Sequence, residues 1–312
     1  MSHILITGAA GFIGSHVLDL LVASGHDVVA VDDFSSGSRE RLEKYEGKIK
    51  IIETDINNTE AYADHVYPNT TIIHLAAFVS VPKSIENPDL SFKTNVSGTH
   101  KLMILAKEKG IVRFLSASSA AVYGNNPNIP SHENDPHAPT SPYGLHKVIN
   151  EEFGALYAEL YSTAYTFLRF FNVFGPRQSL SGGYPAVIPI LIQKGIKDES
   201  PTIFGDGNTT RDFIYVHDLA RIIVHIATEP QHTRFEVYNI GTGTEVSLNT
   251  LWKEISEICS TKKEPEYREK RTGDIDKSVA HIGKLQGILK DFTFTPLQKA
   301  LEETIQYYKG IE

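Results

Sequence analysis

The N-terminal stretch Ile4-Leu5-Ile6-Thr7-Gly8-Ala9-Ala10-Gly11-Phe12-Ile13-Gly14 constrains the fold of this chain more than any other segment. A short apolar run enters glycines at Gly-x-x-Gly-x-x-Gly spacing, and a helical pattern begins at Phe12. Glycine lets the backbone turn tightly and approach a bound group. The start of a helix adds unpaired N–H groups and a partial positive charge. Together these suit a pyrophosphate. The spacing differs from the commoner Gly-x-Gly-x-x-Gly, and a plain tight turn would use glycine too, so the reading rests on position. The motif lies between the first strand and the first helix, and Asp32 ends the second strand. Its separation from Gly14 is near the roughly 20 residues expected of an acid that binds the adenosine ribose hydroxyls.

A carboxylate at Asp32 repels a 2′-phosphate, so NAD is expected over NADP. Asp33 reinforces this, while Arg39 and Arg41 nearby keep NADP open. Asp55, after the third strand, either receives the adenine amino group or caps its own loop. Ala76 and Ala77 end the fourth strand, where small residues let a cofactor lie close to the backbone and equally suit tight packing.

The rhythm of the first half fits this motif. Ile4 to Ile6, Val28 to Val31, Ile49 to Ile52, Ile72 to Leu75, Phe114 to Ser116 and Thr166 to Leu168 are short, continuous apolar runs. Such runs suit parallel strands covered on both faces. Helical stretches alternate with them: Phe12 to Ser24, Arg39 to Tyr45, Ser97 to Lys109 and Pro142 to Leu160. After about Phe171 Gly and Pro cluster, and a helix around His217 to Thr228, a strand at Tyr238 to Ile240 and a helix from Pro296 to Tyr308 follow. The expectation is an α/β chain: a doubly wound parallel sheet over 1–172 plus about 213–240. A smaller α+β region, about 173–212 plus 241–312, interleaves with it and leaves a ligand cleft.

Composition narrows the partners. The 312 residues are 41% hydrophobic and 22% charged, as in soluble globular proteins. A formal net charge of −8 argues against nucleic acid, which favours a basic face. Cys259 is the only cysteine, which excludes an intramolecular disulfide and disfavours a cysteine-built metal centre. The histidines lack metal-ligand spacing, so no metal is expected. No apolar run approaches the roughly 20 residues that cross a membrane. The start lacks a signal-peptide pattern, so a cytoplasmic protein is expected.

Ser141-Pro142-Tyr143-Gly144-Leu145-His146-Lys147 opens the long helix, with Ser141 as N-cap and Pro142 in the first turn. Tyr143 and Lys147 then share one helix face, a spacing that a surface contact would also produce. Beside a dinucleotide fold the pair acquires a mechanism. A free tyrosine titrates near pH 10, so basicity near neutrality asks for about 4 kcal/mol. A nearby lysine and a positive nicotinamide in a water-poor cleft could supply it. The fifth strand ends in Ser116-Ala117-Ser118-Ser119-Ala120-Ala121-Val122-Tyr123-Gly124. One of its hydroxyls could bond the oxygen being oxidised, and at least one satisfies local backbone.

Gly8, Gly11, Gly14, Asp32, Ser119, Tyr143 and Lys147 together resemble the extended short-chain dehydrogenase/reductases, specifically the nucleotide-sugar epimerases and dehydratases. The resemblance extends over essentially the whole chain, through Asn95-Val96-Ser97-Gly98-Thr99, Arg169 to Arg177, Phe204-Gly205-Asp206-Gly207 and Arg211 to Asp218. It implies a Rossmann sheet with NAD held by Gly8, Gly11, Phe12, Ile13, Gly14 and Asp32. Asp55, Ile56, Leu75, Ala76, Ala77, Asn95, Tyr143 and Lys147 would complete that site. It further implies oxidation of a nucleotide sugar at C4, with Tyr143 taking the hydroxyl proton and Ser119 steadying the oxygen. Dehydratases of the family carry an Asp-Glu pair before Val-Tyr-Gly, and its decarboxylases also need a Glu there. Here those positions are Ala120 and Ala121. A 4-keto intermediate without a further acid can only rotate and take the hydride back on its other face, which is 4-epimerisation.

By the same resemblance Arg211 and Arg271 clasp the diphosphate, Asn172 contacts phosphate or sugar, and Asp274 lies near the uridine ribose. A surface ion pair with Asp212 or Asp274 is the alternative for either arginine. Phe78 to Pro88, containing Ser80, resembles a loop of UDP-N-acetylhexosamine 4-epimerases, and Ser278 falls where the sugar's 2-substituent is gated. A small serine there leaves room for an N-acetyl group. The expected substrates are UDP-GlcNAc and UDP-GalNAc with the non-acetylated pair. UDP-glucuronate is a competitor, since the sequence does not show what faces C6. A non-catalytic NAD-sensing module is the alternative of another class, and would not need Ser119, Tyr143 and Lys147 together. The family also pairs helices across a homodimer in a four-helix bundle, here Ser97 to Lys109 and Phe153 to Leu160.

Overall fold

A computed structural model describes residues 1–180, 186–230, 233–270 and 275–310. The Val/Ile/Leu-rich runs form parallel strands β1 (His3–Thr7), β2 (Asp27–Asp32), β3 (Lys50–Glu53), β4 (Thr70–His74), β5 (Arg113–Ser119) and β6 (Ala164–Phe170). A seventh strand, Phe235–Ile240, joins them, and the sheet order is β3-β2-β1-β4-β5-β6 followed by that strand. The order therefore reverses beside β1, which pairs with both β2 and β4. Ligands of doubly wound sheets bind outside the carboxyl ends of strands at such a reversal.

Helices α1 (Phe12–Ala23), α2 (Glu40–Glu43), α3 (Val81–Glu86), α4 (Pro88–Phe92), α5 (Thr99–Glu108) and α6 (Pro142–Leu160) connect the strands. One sheet face buries Leu5, Val31, Ile72, Phe114 and Phe167 against Leu102, Met103 and Ala106 of α5 and Tyr157 and Ala158 of α6. The segment expected to be one helix from Ser97 begins instead with a π-helical turn over Lys93–Gly98. Two side chains account for it: the Asn95 carboxamide is fastened to Phe78, and Thr99 Oγ1 donates to the Asn95 carbonyl at 2.7 Å.

The chain divides into two compact units. The first comprises Met1–Gly124, Pro136–Phe170 and Ala220–Tyr238, and the second Asn125–Asp135, Phe171–Leu219 and Asn239–Glu312. In the second unit Asn172–Phe174 pairs in parallel with Phe213–Tyr215. Thr210–Arg211 lies between Val246–Ser247 and Lys277–Ser278. The amphipathic helices Val187–Ile196, Leu248–Cys259 and Leu297–Lys309 pack together on buried Leu191, Ile192, Leu251, Trp252, Leu301 and Ile305. Trp252 and Cys259 are packing residues here: the indole is buried, and the thiol lies beside Gly195. Among the described residues no helix is long and apolar enough to cross a membrane.

Candidate active site

The glycine turn is shaped by contact. Gly8 has φ +70°, and a Cβ there would lie 2.6 Å from the Ala76 nitrogen. A Cβ on Gly14 would lie 2.0 Å from the Gly8 carbonyl oxygen. No alanine fits at either position without moving backbone, so the turn lies flush against the end of β4. Thr7 helps fix that junction: its carbonyl accepts from Leu75 N at 3.1 Å and its hydroxyl from Ala76 N at 3.3 Å. Gly11 caps α1 without a side chain, and no acid stands in the first helical turn. The N–H groups at Phe12, Ile13 and Gly14 thus open onto a cradle suited to a diphosphate.

Asp32, only 7% exposed, accepts from Ala10 N and from Phe34 N, both at 2.8 Å. Burial raises its pKa, and the two backbone bonds oppose that rise. The carboxylate is therefore tied to the glycine turn itself. Asp33 instead caps its own turn through Ser35. Of the arginines that kept NADP open, Arg39 pairs with Glu53 at 2.6 Å and Arg41 donates to the Ala10 carbonyl. A buried acid at the end of β2, beside a turn a Cβ would fill, fits NAD and its free ribose hydroxyls.

Other candidates are placed less directly. Asp55 is exposed, and its Oδ1 accepts from the Asn57 N–H and side-chain amide. Burial opposes ionisation, but these bonds with Lys93 and Lys101 hold its carboxyl below the usual range. These bonds cap its own loop. Ile56 is buried against Gly98. Asn95 clamps the Phe78 backbone, donating to its carbonyl at 3.0 Å and accepting from its N–H at 2.8 Å.

Ser119, Tyr143 and Lys147 converge. Ser141 caps α6 by accepting from Gly144 N at 3.1 Å, and Tyr143 N donates to Ser84 Oγ at 3.2 Å. Gly144 lets the helix press on the Ala120–Val122 turn, since a Cβ there would lie 2.7 Å from the Ala121 carbonyl oxygen. The Ser119 hydroxyl favours the charged form of the Tyr143 phenol, and Lys147 Nζ donates to the Ala117 carbonyl at 2.7 Å. The ammonium stands 5.7 Å from the Tyr143 ring centroid. Burial raises the Tyr143 pKa, with the Ser119 hydroxyl opposing it, and brings Lys147 down to about 8. Such a group can give and take a proton in a place water reaches poorly.

On the substrate side Ser80 Oγ caps α3, accepting from Lys83 N at 3.3 Å. In the second unit Asn172, Arg211 and Ser278 gather around Asp212. Arg211 and Ser278 are cross-strand partners, and the Asp212 carbonyl accepts from Asn172 N at 3.0 Å. The Asp212 side chain, weighed from sequence as a surface partner of Arg211, is fully buried. Its carboxylate accepts from Thr242 N, Thr242 Oγ1, Gly243 N and Ala280 N. Arg271 and Asp274 lie outside the described residues.

Sequence spacing did not reveal one cluster that the fold assembles: His132, Glu133 and His281, whose potential ligand atoms lie within 4.8 Å of one another. The two imidazoles stack at 3.7 Å and 21°, which aims their in-plane lone pairs side by side rather than at a common point. Glu133 accepts from Asn239 N.

Comparison with known proteins shows the family. Residues 4–241 match the model of the NAD dependent epimerase/dehydratase family. The chain belongs to that family. Like its other members, this NAD-dependent epimerase/dehydratase is an enzyme with a Rossmann sheet, and its cofactor is NAD. It is 34% identical to the UDP-glucose 4-epimerase of Mycolicibacterium smegmatis over 98% of each chain. The structure of the UDP-N-acetylglucosamine 4-epimerase of Methanobrevibacter ruminantium, in complex with UDP-N-acetylmuramic acid, superposes with TM-score 0.93. That protein is 34% identical, with 100% of this chain and 99% of the other covered. The UDP-glucose 4-epimerase of Thermus thermophilus in complex with NAD gives 0.87 at 28% identity, over 99% and 100%.

Proposed function

We propose that this enzyme is a UDP-N-acetylglucosamine/UDP-glucose 4-epimerase, inverting C4 of a UDP-hexose through a transient 4-keto sugar. One observation carries the reading: Ser119, Tyr143 and Lys147 meet beside the Ala120–Val122 turn, which contains no acid. Tyr143 accepts the proton of the 4-hydroxyl and later returns it. Ser119 donates to the same oxygen as it becomes a carbonyl, and the Lys147 charge favours the phenolate. NAD, when bound, accepts the hydride from C4 and gives it back. With no acid at positions 120 and 121, the 4-keto sugar is neither dehydrated nor decarboxylated, so its remaining course is rotation and reduction on the other face.

Asn172, Arg211 and Ser278, with Arg271 and Asp274, are the substrate residues in this reading, and Ser80 shapes the loop before α3. Ser278 is half-buried and small, and it leaves room for an N-acetyl group. The reading includes a homodimer formed through α5 and α6, whose Leu145, Leu156 and Leu160 are exposed. The test is incubation with UDP-GlcNAc, UDP-glucose and UDP-glucuronate, following the 4-epimers by NMR. UDP-GalNAc is expected from UDP-GlcNAc, with Ser278→Tyr abolishing that conversion and sparing UDP-glucose. Clear UDP-galactose with no detectable UDP-GalNAc from the wild type would sink the acetylated assignment.

A further inference from the structure

Tyr143, Lys147 and Glu151 follow one another at successive turns on one buried face of α6. Glu151 is 2% exposed. Its carboxylate meets Arg169 fork to fork, accepting from Nε at 3.1 Å and from NH2 at 2.6 Å, and it also accepts from Ser118 Oγ. Arg169, equally buried, donates through NH1 to Tyr123 OH at 2.8 Å and shares a 2.6 Å bond between NH2 and His137 Nε2. The pair therefore ties together α6, the end of β6, the residue before Ser119, and the turn that follows Ser119.

Stability alone does not account for such a pair. Burying two charges costs about as much as their attraction returns, and packed apolar residues of similar volume often serve a fold as well or better. Placement suggests another task. The titratable groups around Lys147 are Tyr143, His146 and Glu151 on its own helix and His74 on β4, while β5 offers the Ala117 carbonyl. The two histidines are held neutral by burial, so Glu151 supplies the negative charge.

We propose that the Glu151–Arg169 pair is a positioning device for the reaction, with Glu151 keeping the buried Lys147 ammonium charged and Arg169 locking that carboxylate in place. This rests on the reading of Tyr143 as base and Lys147 as its cationic partner. Burial brings Lys147 to about 8 even with Glu151 present, so removing the acid lowers it further.

The experiment compares wild type with Glu151→Gln, Glu151→Gln/Arg169→Met and Arg169→Lys. The double variant removes both charges, so no lone buried guanidinium is left to unfold the protein. Folded protein carrying Glu151→Gln is expected to lose kcat at pH 8 by about tenfold with KM changed less than about threefold. Its alkaline fall of kcat should move at least about half a pH unit lower. Arg169→Lys keeps both charges and should keep the wild-type pH profile whatever it does to the melting temperature. In ligand-free protein, Lys147 makes stability rise with pH from about 8 toward 10.5, because there the unfolded chain binds the extra proton. That rise should begin at lower pH in the double variant. Superimposable kcat and stability profiles in folded double variant and wild type would overturn the proposal, as would kcat losses that merely track melting temperature. Tyr143→Phe run in parallel separates the two readings. Retained activity there refutes the base, while the ligand-free stability curves still judge Glu151.

Discussion

A phenol that works as a base near neutral pH must be an anion, and burial drives Tyr143 the other way. The Ser119 hydroxyl opposes it locally, and in the proposed reaction the Lys147 charge does so too. Tyr143→Phe removes only the ionisable oxygen and should lower kcat by about 10²–10⁴-fold, with the fold intact by circular dichroism. His74 is the acid-sensitive point of the same region. Its ring bonds Thr7 Oγ1 at 2.7 Å and Thr99 Oγ1 at 2.9 Å, and burial, with the Lys147 charge, lowers its pKa to about 3. The unfolded imidazole titrates near 6.5. His74 therefore stabilises the fold fully above that pH and loses its contribution as pH falls toward 3. Melting temperatures of wild type should drop through this window, and His74→Gln should flatten the drop while starting lower at pH 7.

Helix α6 is the element on which the site is built, and its sequence announces it. A serine cap and a first-turn proline mark its start, and it runs Pro142–Leu160 in sequence and structure alike. The β-strands were legible for a similar reason, since runs rich in branched aliphatic residues have few other uses at that length. The π turn before α5 was not. One inserted residue barely alters periodicity, and its cause, the Asn95–Phe78 clamp, joins residues distant in sequence. The loop containing Ser80 also proved to be two short helices, although the serine cap and Pro82 and Pro88 in first turns were visible signals. On the outer strip of α6, Leu145, Leu156 and Leu160 remain exposed. If this strip joins two copies, Leu156→Glu should halve the mass seen by light scattering and leave the far-ultraviolet spectrum unchanged.

At the scale of the molecule, residues with a shared local motif were read from their spacing, and residues sharing only a place were named through the family resemblance alone. Gly8 to Gly14 and Tyr143 with Lys147 are local patterns. Asn172, Arg211 and Ser278 come from separate segments, and what assembles them is Asp212, a residue whose sequence neighbourhood suggested the surface. Asp212→Asn would set an amide N–H₂ against at least one backbone N–H from which the carboxylate now accepts. The expected cost is about 3 kcal/mol in urea unfolding, with KM for the UDP-sugar rising more than kcat falls. Under the proposed function, the same arrangement separates scaffold from reading surface. Asp212 secures neighbouring backbone through N–H groups that every residue but proline provides, so the side chains at 172, 211 and 278 can be exchanged while the frame keeps its shape. A family built this way can change its diet by substituting letters rather than rebuilding the page.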